Sequence, residues 1–257
     1  MTLYHGEPNG PSLTVLAALA ETGLDAELVA IDLAAGERHS GSVPHGVATE
    51  MSVEGEGPVL AVGGEAMADS VFLAQYLDER AGARLQPTDA HARWEMEMWC
   101  RQTIERVAPA AAFLGNRAHT TPRLAAMPDA EFDTILDSIA SEDLRKRWTD
   151  TRAGNFPDAQ EADSRSKIVQ GVERIETRLG DGRDWLMGDF SIADLESFAW
   201  LAGMEDIVPE AFEGKARAAA WIERMRARPS VAQALNQATS DDPRQSWAPG
   251  PEINRWG

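Results

Sequence analysis

The apolar pattern changes period near residue 82, and that change restricts this 257-residue chain to two units of different architecture. Before it, short alternating runs are interleaved with helical ones. After it, from about Trp94 to Leu235, the pattern is helical with hardly a β-branched run. The first part is anchored by GEGPVLAVGGEAMADS, Gly55 to Ser70. PVLAVGGEAMA reads as two short strands joined by a hairpin, because Gly63-Gly64 supplies the positive-φ positions of a two-residue turn. DSVFLAQYLDER follows as a helix, with Phe72, Leu73, Tyr76 and Leu77 at three-to-four spacing and Asp69 or Ser70 as its cap. Pro58 opens the first of these strands, where its missing N–H lies outside the ladder. As a cis proline it would instead set an open backbone edge beside a ligand.

Upstream, TLYH reads as a strand and PSLTVLAALAETG as a helix, with Pro11 in its first turn and Gly23 past its end. AELVAID reads as a second strand. The order is therefore β-α-β, an irregular connection (LAAGERHSGSVPHGVATEMSVEGE), then β-β-α. The expected organisation is a small α/β unit over 1–81, a linker over 82–93, an all-helical unit over 94–240 and an extended tail over 241–257. Helix starts recur in the second unit, at Pro128-Asp129, at Ser191 with Asp194 in a capping-box spacing, and at Pro229. The tail stretch TSDDPRQSWAPGPEINRWG is rich in Pro and Gly, carries two tryptophans, and is expected to pack along the body.

A formal charge of −18 disfavours nucleic acid and anionic membrane surfaces, both of which attract clustered Lys and Arg. The single cysteine, Cys100, excludes an intramolecular disulfide and any CxxC redox or zinc motif; in MEMWCRQ it reads as a small buried hydrophobe, and no metal is expected. The 8 Trp against 2 Tyr favour an aromatic-lined cavity or interface. With no basic-then-apolar leader at MTLYHGEPNG and no apolar run of bilayer length, a soluble cytoplasmic protein is expected.

The arrangement resembles the glutathione S-transferase superfamily, with landmarks spread over most of the chain: Pro58 at a strand start, Asp69-Ser70 at a helix start, the Ser-x-Ala-Asp of FSIADLESFAW, and final helices like WIERMRARPSVAQAL. The resemblance implies an N-terminal thioredoxin-like α/β domain followed by a C-terminal all-α domain. Residues 128–168, PDAEFDTILDSIASEDLRKRWTDTRAGNFPDAQEADSRSKI, look like the long helical insert of the bacterial lignin β-aryl etherases, and GERHS after the second strand is similar too.

That resemblance implies glutathione as co-substrate and assigns roles. Ser12, in the first turn of the first helix, matches the catalytic serine that hydrogen-bonds the thiolate, with Asn9 as a second polar group; read alone, Ser12 is a helix-start residue. Asp69 would take the γ-glutamyl ammonium, and Ser70 with its helix N-terminus the α-carboxylate, alongside a capping role. Gly57, where the family usually carries valine, and Pro58 would present backbone to the glutathione cysteine. For the glycyl carboxylate, Arg38, His39 and His45 are the available partners, while Glu54 and Glu56 would repel an anionic tripeptide unless turned away. Trp94, Trp99, Trp148, Trp185 and Trp200 read individually as core or interface, and collectively as walls for an aromatic substrate. His5 and Asp194 read as structural.

The leading expectation is a glutathione-dependent β-etherase acting on a lignin-derived aromatic ketone as one subunit of a homodimer or heterodimer. The alternatives are a non-catalytic partner subunit of the same fold, and a transferase acting on another electrophile.

Overall fold

The computed structural model describes residues 1–44, 55–82 and 84–250. The first unit is built on a four-stranded sheet: β1 (Thr2–His5), β2 (Glu27–Ala30), β3 (Val59–Val62) and β4 (Glu65–Met67), in the order β2-β1-β3-β4. β1 pairs in parallel with β2 and antiparallel with β3, so Leu3 lies between Leu28 and Leu60, and β3–β4 is the hairpin. Gly63 and Gly64 sit at φ 61° and 93°, the positive-φ pair that a two-residue turn of this hand demands. The parallel β1–β2 pair requires a crossover, supplied by helix α1 (Gly10–Thr22). β2 is an edge strand whose Leu28 remains 37% exposed, because no second layer among the described residues covers it and the expected alternation has nothing to bury.

Helix α2 (Ser70–Ala81) packs beside α1, burying Leu73 and Leu77. The helical part begins with α3 (Ala90–Gln102), inside the stretch expected as a linker, because Asp89 caps it by accepting from Ala92 N–H at 2.9 Å. α3 runs into α4 (Ala108–Gly115) and α5 (Thr121–Ala125) through π-helical turns at Thr103–Val107 and Asn116–Thr120. There follow α6 (Asp129–Ser138), α7 (Glu142–Ala153), α8 (Asp158–Arg178), α9 (Ile192–Leu201), α10 (Ala216–Ala227) and α11 (Pro229–Leu235). α1 packs on α2 from its own unit and on α9 and α11 from the helical part, so one continuous core joins the two.

Helices α5 to α7 hold a second, smaller core of Leu124, Phe132, Ile135, Ile139, Leu144 and Trp148. The guanidinium of Arg152 lies 4.4 Å over the Phe132 ring and closes this core from solvent. The insert also packs against the loop after β2: a Cβ on Gly36 would stand 2.6 Å from Ile135.

The capping spacing read at α9 is realised. Asp194 is buried, and its carboxylate accepts from Ser191 N–H and hydroxyl (3.1 Å each), from Leu186 N–H (2.9 Å) and from the Trp221 indole (3.0 Å). Burial pushes it up to about 6 against those bonds. Cys100 is 1% exposed and burial raises its thiol well above the ordinary range, consistent with a packing role. Among the described residues no helix is long and apolar enough to cross a membrane.

Candidate active site

The N-terminus of α1 is the natural centre of a site. Its first turn holds no acid, Pro11 has no N–H, and Asn9 at the cap is extended (φ −145°) with no side-chain cap bond. The Asn9 side chain turns instead to the tail, donating to Ser246 C=O at 3.0 Å. Ser12 is fully buried, and its Oγ accepts from Gly6 N–H at 3.0 Å, which pins the β1–α1 loop. Ser12 and Asn9 are thus brought to the same turn, one facing inward and the other toward the tail.

That tail is a strap. Ser240 N–H and Thr239 N–H donate to the Glu7 carboxylate at 3.1 Å. Further along, Thr120 donates to Trp247 C=O (2.6 Å) and Asn116 to Ala248 C=O (3.1 Å), both from the π turn after α4, and Arg147 from α7 donates to Gly250 C=O. Trp247 is 5% exposed, with its ring 6.3 Å from that of Trp200. It rests on Gly115, where a Cβ would stand 2.3 Å from the indole. Only a glycine leaves room there. Beneath the strap a cavity of about 40 Å³ remains, bounded by Asn9, Gly10, Glu56, Trp200 and Trp247. Across Gly250 and Ala112, which both cavities share, lies a second of about 300 Å³, whose wall includes Phe113 and Phe156 in edge contact at 5.0 Å. A third, of about 650 Å³, opens on the far side of the strap against Glu7, Asp32, Arg123 and Asp242.

At α2, Asp69 has φ 73° and ψ 118°, the only positive-φ non-glycine among the described residues. Holding a carboxylate residue there costs of order 1–3 kcal/mol, a strain found chiefly where a side chain or N–H must be aimed. Its side chain makes no cap bond, so the expected Asp69 N-cap bond is absent; this backbone geometry differs from the extended one of a capping residue. Ser70 is fully buried and donates to Glu196 Oε2 at 2.9 Å. Thr14 of α1 donates to the same oxygen at 2.8 Å, and Trp200 donates to Oε1 at 2.6 Å. Glu196 therefore ties the first turns of α1 and α2 to α9. Burial pushes its carboxyl up, opposed by those three bonds and reinforced by Asp69.

The remaining loop candidates are engaged within the protein. Arg38 is 2% exposed and its Nε donates to Gly57 C=O at 3.0 Å, so the guanidinium braces the start of β3 rather than facing out. Among the described residues no peptide bond is cis, so the cis geometry considered for Pro58 is corrected to trans, with the preceding carbonyl turned onto Arg38. His39 Nε2 lies 2.8 Å from Glu56 Oε1, and the Trp148 indole donates to that same oxygen at 2.8 Å. Glu56 is therefore turned inward, onto His39 and Trp148. His45 and Glu54 lie outside the described residues. Of the tryptophans read as walls, Trp200 lines the small cavity, Trp148 holds Glu56, Trp99 donates to Ser197 in the core, Trp185 packs edge-on to Phe190, and Trp94 is 55% exposed.

Sequence reasoning missed Glu196 as a site residue and Trp247 as part of the wall. A second acid in the largely apolar IADLESFAWL, two residues after the capping Asp194 and four before a tryptophan, is the signal for the first. For Trp247 no local pattern exists, because its partners Gly115 and Gly203 are remote in sequence.

A thioredoxin-like sheet unit followed by a helical bundle defines the glutathione transferase fold. The crystal structure of β-etherase LigF from Sphingobium sp. strain SYK-6 superposes with a TM-score of 0.81 at 26% identity, covering 92% of this chain and 99% of that one. In sequence, LigF is 26% identical over 254 residues, 94% of this chain and 95% of its own. Glutathione S-transferase F14 of Arabidopsis thaliana is 26% identical over 84% of this chain and 75% of its own. A transferase family member from Pseudomonas fluorescens, solved with two glutathione bound, superposes with a TM-score of 0.60 at 20% identity, covering 91% of each chain. No protein-family model matches the chain. The chain is a homologue of the β-etherase LigF and of the glutathione S-transferases.

Proposed function

We propose that this chain uses glutathione to cleave β-aryl ether bonds in lignin-derived aromatic ketones, as one subunit of a dimer in the cytoplasm. The observation that carries the reading is the near full-length likeness to β-etherase LigF. In the reaction, the glutathione thiolate forms a bond to the carbon beside the ketone while that carbon's bond to oxygen breaks. The phenolate departs and takes up a proton, leaving a thioether. The adjacent carbonyl activates the displacement, so the protein's work is to stabilise the thiolate and align it.

The N-terminal turn of α1 would face the sulfur, with Asn9 at its cap, while Ser12 would act from beneath by holding Gly6 N–H. Asp69 and Ser70 would hold the γ-glutamyl end, with Glu196 fixing the Ser70 hydroxyl. Gly57 and Pro58 would present their backbone to the cysteine. Arg38 would act through Gly57 C=O, and His39 through Glu56. Incubating the folded chain with glutathione and an α-keto β-aryl ether should release one phenol per thioether formed. Absence of both products would overturn the proposal.

One observation favours a second reading, a non-catalytic partner subunit. Ser12 is fully buried, and the Asn9 amide is committed to the strap. If that reading holds, phenol release appears only with a catalytic partner present and is indifferent to Ser12→Ala.

A further inference from the structure

Glu56 is 3% exposed, and both of its hydrogen bonds fall on one oxygen. His39 Nε2 and the Trp148 indole each lie 2.8 Å from Oε1, while Oε2, equally buried, has no partner among the described residues. A carboxylate oxygen enclosed without a donor forfeits its hydration and gains nothing in return. Its neighbours hold it there rather than letting it turn out. Trp148 is fully buried in the insert's own core, and the loop bearing His39 begins at Gly36, packed on Ile135. Glu56 is one of the residues bounding the cavity beneath the strap, together with Glu7, Asn9, Leu33, Trp200 and Trp247. An acceptor-only group held beside two indoles is a recognition point for a ligand that carries one donor on an aromatic body.

We propose that Glu56 Oε2 accepts a hydrogen bond from a hydroxyl on the aromatic substrate, making Glu56 the residue that distinguishes a phenol from its methyl ether. Two sources could supply a donor: the aromatic substrate or the amine and amide groups of glutathione. The wall includes Asn9 and Gly10 of the turn assigned to the sulfur, but neither Gly57, Pro58, Asp69 nor Ser70, which would hold the amine and amide groups; with two indoles in the wall, the first source is favoured. At about 40 Å³ the cavity has room for the hydroxyl and the edge of a ring. The remainder of the substrate has the 300 Å³ cavity across Gly250, where Phe113 and Phe156 supply a second aromatic surface. A site built to bond a hydroxyl rejects the analogue lacking it strongly, because the buried acceptor is then left unpaired.

The inference rests on the reading that this site takes an aromatic ether, and the test is a binding measurement that does not need turnover. Calorimetric titration of the full chain with guaiacol and with veratrole compares one O–H against one O–CH₃. Guaiacol is expected to bind at least roughly tenfold more tightly, and Glu56→Gln is expected to bring the ratio near one. Saturating glutathione is expected to leave guaiacol binding in place. Equal or undetectable binding of the two probes by the wild-type chain overturns the assignment without any variant having to fold. An unchanged ratio in folded Glu56→Gln, or competition by glutathione, overturns it as well. Selectivity for guaiacol in a chain that releases no phenol from aryl ethers removes the etherase reading and leaves this assignment standing. Turnover with a ratio near one does the reverse.

Discussion

Replacing Glu196 by glutamine should leave the protein as stable at neutral pH or more so, whereas replacing it by leucine should cost roughly 2–5 kcal/mol. The carboxylate is fully buried between Thr14 and Ser70 on Oε2 and Trp200 on Oε1. A glutamine carbonyl toward Trp200 still accepts the indole N–H, and its NH₂ can donate to the two hydroxyls, which rotate to accept. Leucine strands all three, and the indole, a donor only, has no other recourse. Burial raises the Glu196 carboxyl above its ordinary 4.5, so the folded chain keeps a proton that the unfolded chain has released. Wild-type stability must therefore fall as pH rises from about 4.5 through the folded value, by at most about 1.4 kcal/mol per pH unit. The glutamine variant lacks that slope, so its advantage should widen with pH across the window. Urea denaturation of the three proteins at about pH 5 and about pH 7.5 measures both effects. A glutamine variant as weak as the leucine one, or a gap indifferent to pH, would refute the account of Glu196 as a desolvated but fully bonded carboxylate.

Gly115→Ala places a methyl where the Trp247 indole now lies, at 2.3 Å, and should cost about 1–3 kcal/mol or evict the strap. Faster proteolysis within 239–250 and a red-shifted tryptophan emission would report eviction; an unchanged digest, emission and melting temperature would show that the contact is not restrictive. Asp194→Asn loses acceptors for Ser191, Leu186 or Trp221 and should lower the melting temperature by roughly 5–15 °C. Because burial pushes Asp194 to about 6, its contribution makes wild-type stability decline between about pH 3.8 and about pH 6. Melts of the variant that match wild type, or the same pH slope in both, would sink that reading.

Elements with a local code were legible in the sequence. The glycine pair gave the hairpin, Pro11 and Gly23 bracketed α1, and Ser191 with Asp194 marked α9, because each signal lies within a few residues of the structure it dictates. The site was legible as a place, the first turns of α1 and α2, but not as a set of bonds. Ser70 and Glu196 are 126 positions apart, Asn9 and Ser246 237, and Glu56 and Trp148 92. No periodicity connects residues at such separations. The loop charges illustrate the cost: from sequence Glu56 repels an anionic tripeptide unless turned away, and only its burial beside an indole and an imidazole makes it a fixed acceptor.

The packing of α1 has a consequence for how anything enters. A helix wedged between α2 on one side and α9 and α11 on the other, and stitched to α9 through Glu196, gives the two units no hinge about which to part. Among the described residues, the element covering the α1 N-terminus is the strap, whose attachments are individual hydrogen bonds, the Arg244–Asp206 ion pair and one indole seated on glycines. Exchange at the α1 N-terminus is therefore governed by the dozen residues 239–250, and its rates should respond to single substitutions there that leave the melting of the body untouched.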